Sequence, residues 1–298
     1  MLLFFITSLF ALNSAVHLPI AQPLVVNEAI NLEQAQQFPK SLGIELTAKS
    51  ALAMDADSGK IIFQKNIDQP LPIASLTKLM SALVFVDTNP DWQKMAVYSI
   101  QDNIPPKEQQ EELDPSQIIF RDGEQIKVSD LFTAALVRSA NNVINTLVRQ
   151  TPFCCGNSFV GQMNKTAQAL NMKQTSFVGP TGLSSKNVSS ARDLSQLILA
   201  TQDKKEISNA LSRKTYGFYT IFDKQSIPHR VNTTNKLLDS FLQTKLAKTG
   251  YLNEAGYCFA GLATYQKNNF VVVILGAHSE KDRQQEVKGL MVWSAENY

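Results

Sequence analysis

Ser75 and Lys78 stand three residues apart in PIASLTKLM, the only Ser-x-x-Lys of the chain. On a helix, positions i and i+3 share a face, so the hydroxyl and the amine can meet. A serine is a poor nucleophile until a base takes its proton. A lysine can be that base only when its pKa falls well below its usual value of about 10.4. The apolar run around Lys78 supplies one cause, desolvation. An N-terminal serine cap with a solvated lysine fits the same four residues. Ser139-Ala140-Asn141 lies between two predicted helices, where a short connection can aim both side chains into a cleft. Ser185-Lys186-Asn187 repeats the Ser-x-Asn pattern inside a turn-rich loop, and capping or turn chemistry accounts for either copy. Lys248-Thr249-Gly250, again unique, ends a predicted strand. A strand can pair with an extended peptide, Lys and Thr can meet a carboxylate, and Gly admits close backbone approach.

The elements that must hold these residues follow from periodicity. Ala51–Asp55 and Ile61–Lys65 read as a hairpin around Asp57-Ser58-Gly59. Leu79, Met80, Leu83 and Val86 recur at helical spacing, so a buried helix starts near Ala74. VSDLFTAALVRSA predicts a helix capped by Ser129 or Asp130, and NNVINTLVRQ begins the next. SFVGQMNKTAQALNM and SSARDLSQLILATQ are further amphipathic helices. TKLAKTG, CFAGLATYQ and FVVVILGA predict three strands, the last two joined by a tight turn at Gln266–Asn269. SEKDRQQEVKGLMVW closes the chain as a helix with Ser279 as N-cap. Strands at both ends and helices between them imply an α+β fold. Its expected form is an antiparallel sheet flanked by helices, with an inserted all-helical subdomain.

Of the 298 residues, 44% are hydrophobic and 18% charged, with a net charge of +2. Disorder is excluded by the apolar share. Scattered Lys and Arg give no electrostatic footprint for nucleic acid. His17, His229 and His278 show no ligand spacing, so neither metal nor cofactor is expected. Cys154, Cys155 and Cys258 cannot make a disulfide framework. Residues 1–16 are apolar, and the first charged side chain is Glu28. A run this short suits a signal peptide over residues 1–21 better than a membrane span, which needs about 20 apolar residues. A polar linker over 22–40 follows, and no stable membrane anchor is expected.

The order of the three motifs, Ser-x-x-Lys, Ser-x-Asn and Lys-Thr-Gly, is that described for penicillin-binding proteins and serine β-lactamases. Together with FVGPTGLSSKNVSSARDL, NTTNKLL and AKTGYLNEAGYC, it makes the chain resemble the serine D-alanyl-D-alanine peptidases over residues 41–295. The resemblance implies a β-lactamase/transpeptidase-like fold in residues 41–298, with the sheet part about 41–95 and 206–298 and the helical part about 96–205. It implies Ser75 as nucleophile, Lys78 as base and Ser139 as proton relay. Asn141, Lys248, Thr249 and Gly250 would bind substrate, with Lys248 holding Lys78 neutral, and the backbone N–H groups of Ser75 and Tyr251 would form an oxyanion hole. Asn142 stands where the family often has Asp, and little consequence is expected. No Glu occurs from Gln125 to Lys205, where a β-lactamase of this type needs one, so slow release of penicillin is expected. About twenty residues follow Ala277, enough for one packing helix. The chain is therefore most similar to the small soluble endopeptidases of the penicillin-binding protein seven type. These act in the periplasm on peptidoglycan peptide stems and are acylated by β-lactam antibiotics. A D-alanyl-D-alanine carboxypeptidase is the alternative, and a β-lactamase or an inactive binding protein stands behind it.

Overall fold

The computed structural model describes residues 44–103, 116–153 and 158–297. The expected signal peptide, the linker, Cys154 and Cys155 lie outside the described residues. The elements run in chain order. Strands β1 (Ser50–Asp55), β2 (Ile61–Lys65) and β3 (Leu71–Pro72) lead to a 3-10 turn at Ala74–Leu76 and helix α1 (Thr77–Asp87). Strands β4 (Met95–Val97) and β5 (Gln125–Lys127) flank a 3-10 turn at Ile100–Asn103 and precede α2 (Val128–Arg138) and α3 (Asn141–Val148). Then come α4 (Ser158–Ala169), β6 (Val188–Ser189), α5 (Ala191–Gln202) and α6 (Lys205–Leu211). The hairpin β7 (Thr215–Phe222) and β8 (Gln225–Asn232) precedes β9 (Gln243–Leu252), β10 (Gly256–Tyr265), β11 (Asn268–Ala277) and α7 (Glu280–Glu296).

The main sheet is antiparallel, in the order β2-β1-β11-β10-β9. The first and last strands of the domain meet in the middle of it, Ser50 against Leu275 and Asp55 against Phe270. Both faces are covered, which is why β11 is an unbroken apolar run rather than an alternating one. Leu52, Met54, Val271 and Val273 face the helical side with Leu79, Leu83 and Leu194. Ala51, Ala53, Val272 and Ile274 face Val287, Leu290 and Met291 of α7. Fully burying a side chain of this kind contributes about 1.5–3 kcal/mol. Helix α7 starts as expected: the Ser279 hydroxyl accepts the Asp282 N–H at 3.0 Å. Helix α2 starts earlier than its sequence suggests. Its N-cap is Lys127, without a side-chain cap bond, because the β5 strand runs straight into it. Asp130 instead accepts a bond from the Tyr216 hydroxyl at 2.6 Å.

The α+β class and the helix-flanked antiparallel sheet match expectation. The inserted part is not purely helical: β5 and β6 fall within residues 96–205. Strands β7 and β8, expected with the main sheet, form a second sheet in the order β4-β5-β7-β8. Its inner face, Ala96, Ile126, Phe218 and Val231, is buried in the helical core.

Candidate active site

Ser75 lies at the entry to α1, in the 3-10 turn. Ala74 before it has φ +47°, a left-handed conformation costly for a residue with a Cβ. Gly182 packs against that turn so closely that a Cβ there would stand 2.1 Å from the Ala74 carbonyl oxygen. Any side chain at 182 would push the nucleophile's turn aside. One helical turn on, Lys78 is fully buried. Its Nζ lies 2.9 Å from Ser75 Oγ, 2.5 Å from Asn141 Oδ1 and 2.5 Å from the Thr181 carbonyl oxygen. The expected Ser–Lys contact is present, and the solvated lysine of the bland alternative is not.

Ser139 ends α2 in the left-handed region, φ +64° and ψ +32°. This single residue turns the chain, so that Asn141 opens α3 facing Lys78. Ser139 is buried, and its Oγ has no hydrogen-bond partner. A buried hydroxyl left unpaired is destabilising, and among the described residues Ser50 and Ser294 share that state. Asn142 makes a paired amide contact, donating to the Ile118 carbonyl at 2.8 Å and accepting the Ile118 N–H at 3.2 Å. An aspartate could only accept there, so the Asn does local work that the sequence did not reveal.

Lys248, Thr249, Gly250 and Tyr251 lie on β9, the edge strand of the main sheet. A Cβ on Gly250 would come within 3.1 Å of the Ser75 backbone nitrogen. Glycine therefore brings β9 against the nucleophile. Thr249 Oγ1 lies 2.8 Å from Thr234 Oγ1. Half of the Tyr251 side chain is exposed, and its ring lies 4.4 Å from that of Tyr257. Lys248 is buried, donates to the Thr249 carbonyl at 2.9 Å, and has its pKa held well below the lysine range. Burial is the first cause, the charge of Lys78 the second and that of Arg283 the third. Among the described residues, no group of three or more His, Cys, Asp or Glu side chains could hold a metal ion. Cys258, paired across from Gly250, is a free buried thiol pushed up to about 11 by burial.

A hydroxyl touching a buried amine, beside a second buried amine and an edge strand, can acylate and bind a peptide carboxylate. The D-alanyl-D-alanine carboxypeptidase family matches residues 33–279. The chain belongs to this family. It is a serine-type D-Ala-D-Ala peptidase, similar at 32% identity to a D-alanyl-D-alanine endopeptidase of Pseudomonas aeruginosa, over 91% of this chain and 84% of that protein. A D-alanyl-D-alanine endopeptidase of Escherichia coli is 28% identical over 97% of this chain and 88% of its own. A D-alanyl-D-alanine carboxypeptidase of Bacillus subtilis is 31% identical, over 84% of this chain and 63% of its own. Among solved structures, the Streptomyces K15 DD-transpeptidase shares the fold with a TM-score of 0.75 at 22% identity, over 85% of this chain and 98% of that one. Penicillin-binding protein D2 of Listeria monocytogenes, in its cefotaxime-bound form, has a TM-score of 0.69 at 28% identity, over 85% and 99% of the two chains.

The structure brings every predicted site residue of this D,D-peptidase to one place, between the start of α1, the α2–α3 corner and β9. Sequence reasoning missed Thr181 and Thr234. Thr181 acts through its backbone carbonyl, which any residue possesses, so side-chain type carried no signal. Thr234 lies in NTTNKLL, a block noted only as a likeness.

Proposed function

We propose that the protein is an exported, periplasmic serine D,D-endopeptidase that opens D-alanyl–diaminopimelate cross-links of peptidoglycan through an acyl-enzyme. The observation that carries this reading is the Ser75–Lys78 contact at 2.9 Å, with the same Nζ held by Asn141 and Thr181. A neutral amine has two N–H donors and one lone pair. With the donors on Asn141 and Thr181, the lone pair faces the Ser75 hydroxyl. Lys78 takes that proton as Ser75 Oγ attacks the D-alanine carbonyl. The amide C–N bond then breaks, the proton reaches the leaving amine through Ser139, and the D-alanyl ester on Ser75 remains. Water hydrolyses this ester, freeing the D-alanine carboxylate and the serine.

The Ser75 N–H and the Gly250–Tyr251 backbone flank the position of the developing oxyanion, and each such donor is worth about 2.7–4 kcal/mol in studied hydrolases. Lys248 and Thr249 receive the carboxylate beside the scissile bond. Burial first, then repulsion from Lys78, lowers the Lys248 pKa. A carboxylate at Lys248 draws the charge there and leaves Lys78 as the base. Asp193, the acid nearest in sequence to the Thr181 loop, is occupied by Gln174 N and Thr175 Oγ1, each at 2.7 Å. That occupancy, with the Glu-free stretch, supports slow release of β-lactams.

Similarity to two endopeptidases favours cross-link cleavage, and similarity to the Bacillus carboxypeptidase sustains removal of a terminal D-alanine as the second reading. Digestion of purified muropeptides separates them. Loss of cross-linked dimers faster than loss of D-alanine from pentapeptide monomers is the expected result. The opposite order assigns the protein to carboxypeptidases.

A further inference from the structure

The second Ser-x-Asn copy does more than shape a turn. Asn187 is fully buried, and all of its hydrogen-bonding groups are engaged. Its Oδ1 accepts the N–H groups of Val178 at 2.7 Å and Gly179 at 3.2 Å. Its Nδ2 donates to the Gly179 carbonyl at 3.0 Å and to Thr77 Oγ1 at 3.2 Å. Its backbone carbonyl accepts the Ile73 N–H, and its own N–H donates to Ser184 O, both at 3.1 Å.

These partners are not scattered. Ile73 and Thr77 lie two residues before and two residues after Ser75. Thr77 Oγ1 in turn donates to the strained Ala74 carbonyl at 2.8 Å. Val178 and Gly179 begin the loop whose next two carbonyls reach α1: Pro180 O accepts Ser81 Oγ at 2.6 Å, and Thr181 O accepts Lys78 Nζ at 2.5 Å. One amide thus ties both flanks of the nucleophile to the loop that aims the lysine. We propose that Asn187 is a positioning residue, which sets the Ser75–Lys78 geometry by locking the 178–181 loop to the start of α1. It touches neither the nucleophile's hydroxyl nor the β9 groups that would receive substrate. Its effect therefore falls on the chemical step and not on binding. The proposal rests on the reading of Ser75 and Lys78 as nucleophile and base.

Asn187→Asp keeps the shape and the acceptor but loses both Nδ2 donors. Thr77→Val removes the α1 end of the tie and keeps the branched shape. Both variants, their double variant and the parent are reacted with benzylpenicillin. The fraction of Ser75 acylated at completion, the limiting acylation rate and the half-saturating concentration are read separately. Asn187→Asp should acylate fully but about 10–100-fold more slowly, the scale on which a small misplacement of a catalytic group acts. Thr77→Val should be slowed less, and the double variant by less than the product of the two single effects, since the residues share one contact and Thr77 adds only its own bond to the Ala74 carbonyl. Half-saturation should stay within about twofold, as binding groups are untouched.

A parental limiting rate, a loss confined to the number of reactive sites, or multiplicative effects in the double variant would each overturn the proposal. If Asn187→Asp does not fold, Thr77→Val decides alone, and a parental rate in it is contrary. If the parent itself is not acylated at Ser75, the underlying reading of the site fails, an outcome distinct from acylation that ignores Asn187.

Discussion

Asp102 and Lys248 are both ionisable and buried, and their surroundings differ in kind. Asp102 accepts from Arg149 Nε at 2.8 Å and Nη2 at 2.6 Å, from Thr146 Oγ1 at 2.7 Å and from the Ser99 N–H at 3.3 Å. Its charge is matched, and it fastens the 3-10 turn at Ile100–Asn103 to α3. Around Lys248 the charges that act are those of Lys78 and Arg283, both cations. Nearby, Ser139 keeps an unpaired hydroxyl, and both Ser139 and Ala74 hold positive φ. The first region is arranged for stability. The second keeps like charges together beside an unpaired hydroxyl and two positive-φ residues, local costs of the kind that cluster at ligand-binding sites.

Three changes test this contrast. The largest effect belongs to Lys78→Ala, which removes the proposed base. Acylation by a slow-turnover β-lactam, followed by stopped flow, should fall by roughly 10⁴-fold or more at every accessible pH, as for units that act together elsewhere. A residual rate that climbs steeply with pH would point to another base. Next is Asp102→Ala in the matched region. It strips four bonds and leaves Arg149 without its partner. Because the Arg149 side chain is 40% exposed, water recovers part of the loss. The expected destabilisation is about 2–4 kcal/mol by chemical denaturation, with the folded fraction still acylated at the parental rate.

Lys248→Met moves in the opposite direction. Lys248 has a folded pKa below its unfolded value, so between the two the unfolded chain binds more protons. Stability of the parent therefore rises with pH through that window. Met removes the buried amine, so the variant should be more stable near neutral pH by about 1–3 kcal/mol, an advantage that shrinks as pH nears about 10.5. It should also lose affinity for substrates with a carboxylate. Thermal unfolding across pH measures the first effect. A variant less stable than its parent at pH 7 would mean that Lys248 is matched as well as Asp102.

The difference between the regions was only half visible beforehand. Ser75–Lys78, Ser139–Asn141 and Lys248–Gly250 are short, local and built from rare spacings, so the site was legible. Central strands were legible because β11 and β10 are apolar runs joined by a two-residue turn, Gln266–Lys267. The β7–β8 hairpin was not. Its turn residues Asp223 and Lys224 both take positive φ without a glycine to signal it, and β8 is polar with a proline. Strands β4 and β5 have three residues each, too few to show a period. The roles of Thr181 and Asn187 depend on contacts across 103 and 110 residues, and no local pattern reports those.

The central claim is that Ser75 is the residue that becomes acylated. Mass spectrometry of the intact protein after benzylpenicillin, with peptide mapping of the adduct, tests it directly. The account predicts one adduct per chain, located on Ser75, persisting for minutes, and absent from a folded Ser75→Ala variant. An adduct that survives in Ser75→Ala, or that maps to another side chain, would contradict it.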